Sequence, residues 1–317
     1  MRIVFMGTPE FAVPSLEALL ASPHQVVGVV TQPDRPKGRG QDVVDSPIKQ
    51  ICLREHIPFL QPTKMKDPAF LEALRAWQPD IITVTAFGRI LPPAVLNLPP
   101  NGCVNVHGSL LPKYRGAGPV QWAIIRGEQE TGITTMLMDE GMDTGAMLLQ
   151  EKLEVLPDDT AGTLAPRLAA LGGGLLIDTL ARLKAGTLVP TKQDDRQATM
   201  APLLKKEDGL IDWTLSAKAL TNRVRGLSPW PGAYTFLGDE RWNIWKAISQ
   251  AGATTDAPGT IVAVNKQAIS VTTGDGLLEI AEIQIANSKR MAVGQFLAGH
   301  RVTVGQQLGP PPHTVVN

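Results

Sequence analysis

Short apolar runs alternate with amphipathic stretches through the first half of the chain. Residues 2–6 and 26–30 have the length and apolar composition of buried strands, and residues 9–22 between them carry apolar side chains at helical spacing. A strand, a helix and a second strand in this order predict a βαβ unit and a parallel sheet. The alternation continues with predicted helices at 45–56, 67–77 and 118–127 and predicted strands at 80–87, 132–138 and 146–155.

Residues 160–184 also show helical periodicity, but Gly172, Gly173 and Gly174 interrupt it. Because glycine is a poor helix former, we predict a break in the helix at these residues. No strand leads into the glycines, so they do not indicate a phosphate-binding loop. Residues 185–201 are rich in polar and turn-forming side chains, which is typical of a linker.

The pattern changes after residue 209. A short amphipathic helix is predicted at 216–227 and another at 291–298. Between them lie five strand-like segments at 233–237, 241–248, 259–264, 268–273 and 277–285. Short strands joined by tight turns predict a small all-β barrel, and an OB-type barrel is the natural form for five of them.

Length and composition agree with two domains of an ordinary globular protein. The chain has 317 residues, of which 43% are hydrophobic and 19% charged, and this length favours more than one domain. We predict an α/β fold in which a Rossmann-like parallel-sheet domain precedes a smaller C-terminal OB-like β-barrel domain. The predicted boundaries are 1–189 for the first domain, 190–206 for the linker and 207–317 for the second.

Charge and cysteine content exclude several classes of protein. Lys and Arg number 30, as do Asp and Glu, so the bulk charge does not indicate a nucleic-acid partner. Two cysteines, Cys52 and Cys103, build no disulfide framework and no metal cluster. The apolar N-terminal run is too short for a signal peptide, and no uninterrupted apolar stretch has the length of a membrane span. We expect a cytoplasmic protein and a monomer.

The first strand is followed by Gly7-Thr8-Pro9, and the GxGxxG fingerprint is absent. Pro9 also removes a backbone donor, so a nicotinamide dinucleotide is not expected. The next loop, 31–42, contains Arg35, Lys37 and Arg39 among prolines and glycines. Composition alone leaves two interpretations of this loop open, a solvated surface loop or a finger that contacts a polyanion.

A strand at 103–107 carries the best candidate reaction centre. Side chains alternate along a strand, so Asn105 and His107 point to the same face. An amide and an imidazole can bind the oxyanion that forms when a nucleophile attacks a carbonyl group. Asp143, in the acidic loop 138–145, can orient the imidazole or accept a proton. A thiol nucleophile at Cys103 stays open, whereas Ser109 lacks a nucleophile-elbow pattern and the acidic loop lacks EF-hand spacing.

These stretches resemble the folate-dependent formyltransferases. The resemblance is carried by residues 104–112, by Tyr114-Arg115-Gly116, by Met138-Asp139 and by Gly141-Met142-Asp143-Thr144-Gly145. It is also carried by residues 7–12, by the loop 31–40, by Ile211-Asp212-Trp213 and by Pro229-Trp230-Pro231-Gly232. The loop and the predicted barrel resemble in particular the members of the family that act on an aminoacyl-tRNA.

The resemblance implies transfer of the formyl group of 10-formyltetrahydrofolate to the α-amino group of methionyl initiator tRNA, for translation initiation and without a metal. It assigns the formyl oxygen to Asn105 and His107, and proton removal to Asp143. Folate binding is implied for Phe87, Gly88, Arg89, Ile90, Leu91, Ser109, Leu110, Leu111 and Pro112. Binding of tRNA is implied for Arg35, Lys37, Arg39, Lys205 and Lys206.

One position departs from the family pattern, which often has lysines where this chain has Gln41-Asp42. This departure reduces the cationic character of the loop but does not touch the transfer chemistry. Two other functions remain as alternatives at this point. One is a related formyltransferase or hydrolase that uses an amino sugar or water as acceptor. The other is a non-enzymatic RNA-binding protein on an α/β scaffold.

Overall fold

The computed structural model describes residues 1–34, 36–37, 42–252 and 255–311, with the backbone alone at 36–37 and 42–43. The chain divides into two compact units. The first comprises Met1–Pro119, Glu130–Glu154 and Leu164–Pro202, and the second comprises Val120–Gln129, Val155–Thr163 and the chain from Leu203 onward. Within the basic loop predicted at 31–42, residue 35 and residues 38–41 lie outside the described residues.

The first unit is built on a seven-stranded sheet. The strands of this unit, including a separate two-stranded pair β3–β4, are β1 (Arg2–Gly7), β2 (Gln25–Val30), β3 (Pro36–Lys37), β4 (Asp42–Val43), β5 (Phe59–Leu60), β6 (Ile81–Thr85), β7 (Cys103–His107), β8 (Glu130–Leu137) and β9 (Met147–Glu154). The order across the sheet is β5-β2-β1-β6-β7-β8-β9. The first five are parallel, and β8 and β9 are antiparallel to their neighbours. The predicted parallel α/β sheet is confirmed, with an antiparallel edge added.

The helices are α1 (Val13–Leu20), α2 (Pro47–Arg54), α3 (Pro68–Ala76), α4 (Pro93–Leu96), α5 (Pro119–Ile125), α6 (Ala161–Ala185), α7 (Ala217–Gly226) and α8 (Val293–Leu297). Their starts follow local chemistry. Ser46 caps α2 and Asp67 caps α3, each accepting a hydrogen bond from a backbone N–H of the first turn, and proline follows each cap.

One face of the sheet buries an apolar core beneath α3 and α4. Val4, Met6, Ile82 and Val84 from the strands pack there with Phe70 and Leu74 of α3 and Val95 and Leu96 of α4. Cys103 belongs to the same core. Since Asn105 and His107 follow Cys103 at a spacing of two, they continue this face toward the carboxyl end of β7.

Helix α6 runs without interruption through the three glycines, so the predicted helix break is wrong. A Cβ atom at Gly172 would lie 2.8 Å from Cγ1 of Val106, and one at Gly173 would lie 2.7 Å from the carbonyl oxygen of Pro14. Gly172 and Gly173 therefore permit close packing against β7 and the start of α1. This close approach outweighs the low helix propensity of glycine. In the described part of the chain, α6 is the one helix long and apolar enough to cross a membrane, and half of its apolar window is buried.

The second unit contains all five predicted strands, β10 (Ala233–Leu237), β11 (Glu240–Gln250), β12 (Ile261–Val264), β13 (Ile269–Thr272) and β14 (Leu277–Ile285), and two short ones, β15 (Met291–Ala292) and β16 (Leu308–Gly309). Their order is β12-β13-β14-β11-β10-β16, with β15 beside β14. The backbone of Leu308 donates to Gly259 O, and that of Ile261 donates to Gln306 O, both at 2.8 Å. These bonds join the two ends of the sheet, and the predicted barrel is confirmed.

Candidate active site

Asn105 and His107 lie on one face of β7, a strand flanked on both sides by others. Both side chains reach the carboxylate of Asp143. Asn105 Nδ2 donates to Asp143 Oδ1 at 3.4 Å, and His107 Nδ1 lies 3.6 Å from Asp143 Oδ2. The His107 side chain is only 6% exposed and that of Asp143 18% exposed. The structure thus brings the three predicted catalytic residues into one cluster.

The Asp143 loop reaches the cluster by turning back over the sheet. Because β8 is antiparallel to β7, the loop leaves β8 beside Cys103, whose carbonyl accepts a hydrogen bond from Met138 N at 2.8 Å. Asp143 itself has a left-handed backbone with φ of 55°, which is unfavourable for a residue with a Cβ. Its Oδ2 accepts a hydrogen bond from Gly116 N at 2.8 Å. Tertiary contacts therefore define the direction of this carboxylate.

The environment of His107 defines the positions of its protons. Nε2 lies 2.9 Å from the carbonyl oxygen of Tyr114, which only accepts, so Nε2 must carry a hydrogen and donate it. Nδ1 then faces the Asp143 carboxylate. The Tyr114 carbonyl keeps the ring in this orientation.

The turn after β7 is held by the side chains of Thr134 and Gln150, which the sequence did not indicate, and by that of Ser109. Thr134 Oγ1 donates to Ser109 O at 2.7 Å and accepts from Leu111 N at 3.0 Å. Gln150 Nε2 donates to Leu111 O at 2.8 Å. Ser109 is fully buried, and its hydroxyl closes the turn by donating to Lys113 O at 2.6 Å. The Ser109 hydroxyl is therefore engaged in a structural hydrogen bond, whereas a nucleophile would need a free hydroxyl.

The other stretch implied in folate binding, 87–91, presents mainly backbone and one apolar side chain to the surface. Phe87 and Leu91 are buried in the core under α3 and α4, whereas Ile90 is 78% exposed. Gly88 has a φ of 71°, which suits the sharp turn that follows β6. Arg89 Nη1 donates to Thr63 O at 2.7 Å. The loop is thus anchored on both sides of its exposed part.

The residues implied in tRNA binding lie in two separate stretches of the sequence. The structure describes the side chains of only one of these stretches. Lys205 and Lys206 are exposed, and the backbone N–H of Lys205 donates to Asp208 Oδ2 at 2.6 Å at the start of a short 3₁₀ helix, Lys206–Gly209. Arg35 and Arg39 lie outside the described residues, as does the side chain of Lys37.

Cys103 does not have the surroundings of a nucleophile. Its side chain is 1% exposed and donates weakly to the carbonyl oxygens of Val95 and Leu96. Burial raises the pKa of its thiol to about 12, so the reactive thiolate is scarce at neutral pH. Within residues 1–34, 44–252 and 255–311, no group of three or more His, Cys, Asp or Glu side chains is placed to hold a metal ion.

Two buried polar residues near the site were also not anticipated. Gln193 is 4% exposed and Arg115 is 7% exposed. Gln193 contacts the backbone of the Asp143 loop, and Arg115 contacts Gln193. Arg115 is part of the motif after β7, but nothing local in the sequence connects it with a glutamine in a polar stretch 78 residues later.

Comparison with known proteins places this chain in a family. The Formyl transferase family model matches residues 1–180, and the model of the Formyl transferase C-terminal domain matches residues 203–301. The chain therefore belongs to the formyl transferase family. It is 53% identical over 309 residues to a methionyl-tRNA formyltransferase from Trichlorobacter lovleyi, covering 98% of this chain and 97% of the relative.

Solved structures share the fold. An N-formyltransferase from Helicobacter canadensis, in complex with folinic acid and dTDP-3-aminofucose, has a TM-score of 0.69 and 19% identity, covering 90% of this chain and all of that one. A methionyl-tRNA formyltransferase from Clostridium thermocellum has a TM-score of 0.54 and 18% identity, covering 80% of this chain and 95% of that one.

Proposed function

We propose that the protein transfers the formyl group of 10-formyltetrahydrofolate to the α-amino group of methionyl initiator tRNA, giving N-formylmethionyl-tRNA for translation initiation. The observation that carries this proposal is the likeness to a relative of that name over 98% of the chain at 53% identity. The cluster of Asn105, His107 and Asp143 supplies the chemistry that such a transfer needs.

In the proposed reaction the amine nitrogen attacks the formyl carbon, and the formyl oxygen becomes an oxyanion. The Asn105 amide is assigned as a donor to this oxygen, because its bond to Asp143 is long at 3.4 Å. His107 is assigned to the same oxygen through Nδ1, which lies 3.6 Å from Asp143 Oδ2 and is therefore not held in a close bond to it. Donors held in advance around a developing negative charge stabilise the transition state without reorganisation.

Asp143 has two tasks in this mechanism. Its Oδ2 faces His107 Nδ1 and orients the imidazole. The carboxylate also accepts the proton that the attacking amine loses, directly or through one water, and that proton ends on N10 of the departing tetrahydrofolate. The bond from carbon to N10 breaks as the new amide bond is completed, so no covalent enzyme intermediate is required.

We assign the folate co-substrate to the turn 109–112 and the loop 87–91 because of where they lie in the sheet. The turn 109–112 and the loop 87–91 follow β7 and β6, which are adjacent parallel strands. In sheets of this class, ligands bind beyond the carboxyl ends of neighbouring parallel strands. The exposed Ile90 offers apolar surface to a flat ring.

The acceptor side of the proposal rests on local cations, because the chain as a whole has no net charge. Arg35, Lys37 and Arg39 in the loop 31–42, together with exposed Lys205 and Lys206, would contact phosphates of the tRNA. Under this proposal the enzyme acts as a monomer in the cytoplasm, where charged tRNA and folate are both present.

A formylation assay with four acceptors tests the proposal. The donor is 10-formyltetrahydrofolate in every case. The acceptors are methionyl initiator tRNA, methionyl elongator tRNA, water and an amino-sugar nucleotide. We expect rapid transfer to the initiator tRNA alone. Equal or faster consumption of the donor with water or the amino sugar would assign the protein to another activity of the same family.

The basic loop is tested separately with Arg39→Ala. We expect a KM for methionyl-tRNA raised about tenfold and a weaker dependence on salt, because a cation that pairs with phosphate is lost. The KM for the folate should stay unchanged. If KM for the tRNA and its salt dependence both equal those of the wild type, the loop is a solvated surface loop.

A further inference from the structure

The two loops that form the site are joined by a third stretch of chain. We call residues 191–201 the clasp segment. At one end, Thr191 exchanges two backbone hydrogen bonds of 2.8 Å with Met147, where β9 begins after the Asp143 loop. At the other end, Ala201 N donates to Arg115 O at 2.7 Å, in the loop after β7. The clasp segment therefore spans from the Asp143 loop to the Tyr114 loop.

Gln193 is the point where the clasp segment contacts the Asp143 loop. Its amide nitrogen donates to Asp143 O at 2.7 Å and to Gly145 O at 2.8 Å, and its Oε1 accepts from Arg115 Nε at 3.0 Å. Two carbonyls need the two N–H groups and a guanidinium needs an acceptor, so only one orientation of the amide satisfies all three partners. The buried side chain is thus fully committed to this connection.

Arg115 extends the connection to the other loop. Its Nη2 donates to Asp195 Oδ1 at 2.8 Å, and its backbone N–H donates to Thr199 O at 2.8 Å. Thr199 Oγ1 in turn accepts from the backbone N–H of Tyr114 at 2.9 Å, and the carbonyl of Tyr114 accepts from His107 Nε2. A short series of hydrogen bonds therefore leads from Gln193 to both His107 and Asp143.

We propose that Gln193 is a positioning residue for the transfer, which holds the backbone of Asp143 in its left-handed conformation so that the carboxylate faces His107. The left-handed φ of Asp143 is unfavourable by itself, and Gln193 binds the carbonyl of that same residue. Without this bond the loop relaxes, and Asp143 Oδ2 leaves Gly116 N and the imidazole. This inference rests on the formyl transfer proposed above.

The test is Gln193→Glu, which keeps the size of the side chain and an acceptor for Arg115 but removes both donors. We expect kcat to fall about 10- to 100-fold, since a displacement of about 1 Å at a reacting group has effects of this size. The KM for the folate should change little, whereas the melting temperature should fall, because two buried carbonyls lose their donor. Gln197→Glu is the matched control, because Gln197 lies in the same segment, is exposed and donates only to Asp194.

Hydrogen exchange gives a measurement that does not depend on catalysis. In Gln193→Glu, peptides covering 114–118 and 141–147 should exchange faster than in the wild type, because Gly116 N loses its acceptor. If the wild type formylates no methionyl-tRNA, the proposed function is wrong, and the exchange data still decide whether Gln193 positions the loop.

Normal kcat and normal exchange in a folded Gln193→Glu protein would overturn the inference, and so would an equal loss in Gln197→Glu. If the glutamate variant does not fold, Gln193→Met is measured in its place. It removes the same donors without adding a charge, and the same two results decide.

Discussion

The two halves of the site, one on strand β7 and one on the Asp143 loop, are built in different ways. Asn105 and His107 belong to a regular strand with hydrogen-bonded neighbours on both sides, so their common direction follows from the alternation of the strand. Asp143 belongs to a loop with a left-handed residue whose backbone and carboxylate are held by Gln193 and Gly116. The strand half is rigid by its secondary structure, and the loop half is rigid only through remote contacts.

This difference predicts where substitutions act. A change on β7 should remove one chemical group and leave the rest of the site in place. A change around the loop should also alter the geometry of groups that are not themselves substituted.

The largest effect is expected for Asp143→Asn. The amide cannot accept the proton of the amine, and it presents a donor or a weak acceptor to His107 Nδ1. We expect kcat to fall about 10²- to 10⁴-fold, with the Kd for folate within about twofold of the wild type. Glu140→Gln, an exposed change in the same loop, is the control. Turnover near that of the wild type would remove Asp143 from the mechanism.

A smaller loss is expected for Asn105→Ala, which deletes one donor from the strand half. Removing one donor to an oxyanion costs about 10²- to 10³-fold in kcat. Because β7 is held by its backbone bonds and the bond from Asn105 to Asp143 is long at 3.4 Å, hydrogen exchange of the loops should change less than in Gln193→Glu. The variant is measured by single-turnover formylation and by exchange of peptides covering 141–147. A kcat within threefold of the wild type would contradict a role in binding the oxyanion.

Gly116→Ala tests the junction between the halves. Gly116 has a φ of 117°, and a Cβ atom there would lie 2.7 Å from Ala201 O. We expect the free energy of unfolding to fall by about 1–3 kcal/mol, together with a lower kcat. Gly174→Ala is a control in which we expect the free energy of unfolding to change in the opposite direction. Nothing lies within 4 Å of a Cβ atom at this helical residue, so stability should rise by about 0.5–1 kcal/mol.

These two stabilities are measured by urea denaturation of the full chain. An unchanged free energy of unfolding in Gly116→Ala would mean that the clasp segment yields easily at Ala201. The proposed tie between the two loops would then be weaker than the geometry indicates.

The smallest effect is expected at the cysteines. Burial disfavours the thiolate, so it raises the pKa of Cys103 to about 12 and that of Cys52 to about 11. At pH 8, well below both values, about 10⁻⁴ and 10⁻³ of these thiols are ionised. Iodoacetamide should therefore modify neither in the native protein, and both after denaturation, as seen by mass spectrometry. Fast labelling of native Cys103 would reopen its role as a nucleophile.

Much of the fold could be predicted because its signals are local. The apolar runs of β1, β2 and β6 and the caps at Ser46 and Asp67 depend on residues within one turn or one strand. The five strands of the barrel were likewise marked by turns on either side. The helix through Gly172–Gly174 could not be predicted in the same way, because the low helix propensity of glycine is local and its advantage, contact with Val106 and Pro14, is not.

The same distinction between local signals and contacts between distant residues applies to the site. By itself the sequence determined that Asn105 and His107 share a face, because the two-residue period of a strand is a property of the backbone. It also indicated Asp143 through the motif that resembles the formyltransferases. Only the tertiary structure decided how Asp143 is oriented and that Gln193, 50 residues further along the chain, holds it. Contacts between residues so far apart depend on how strands and loops pack, and no periodicity in the sequence records them.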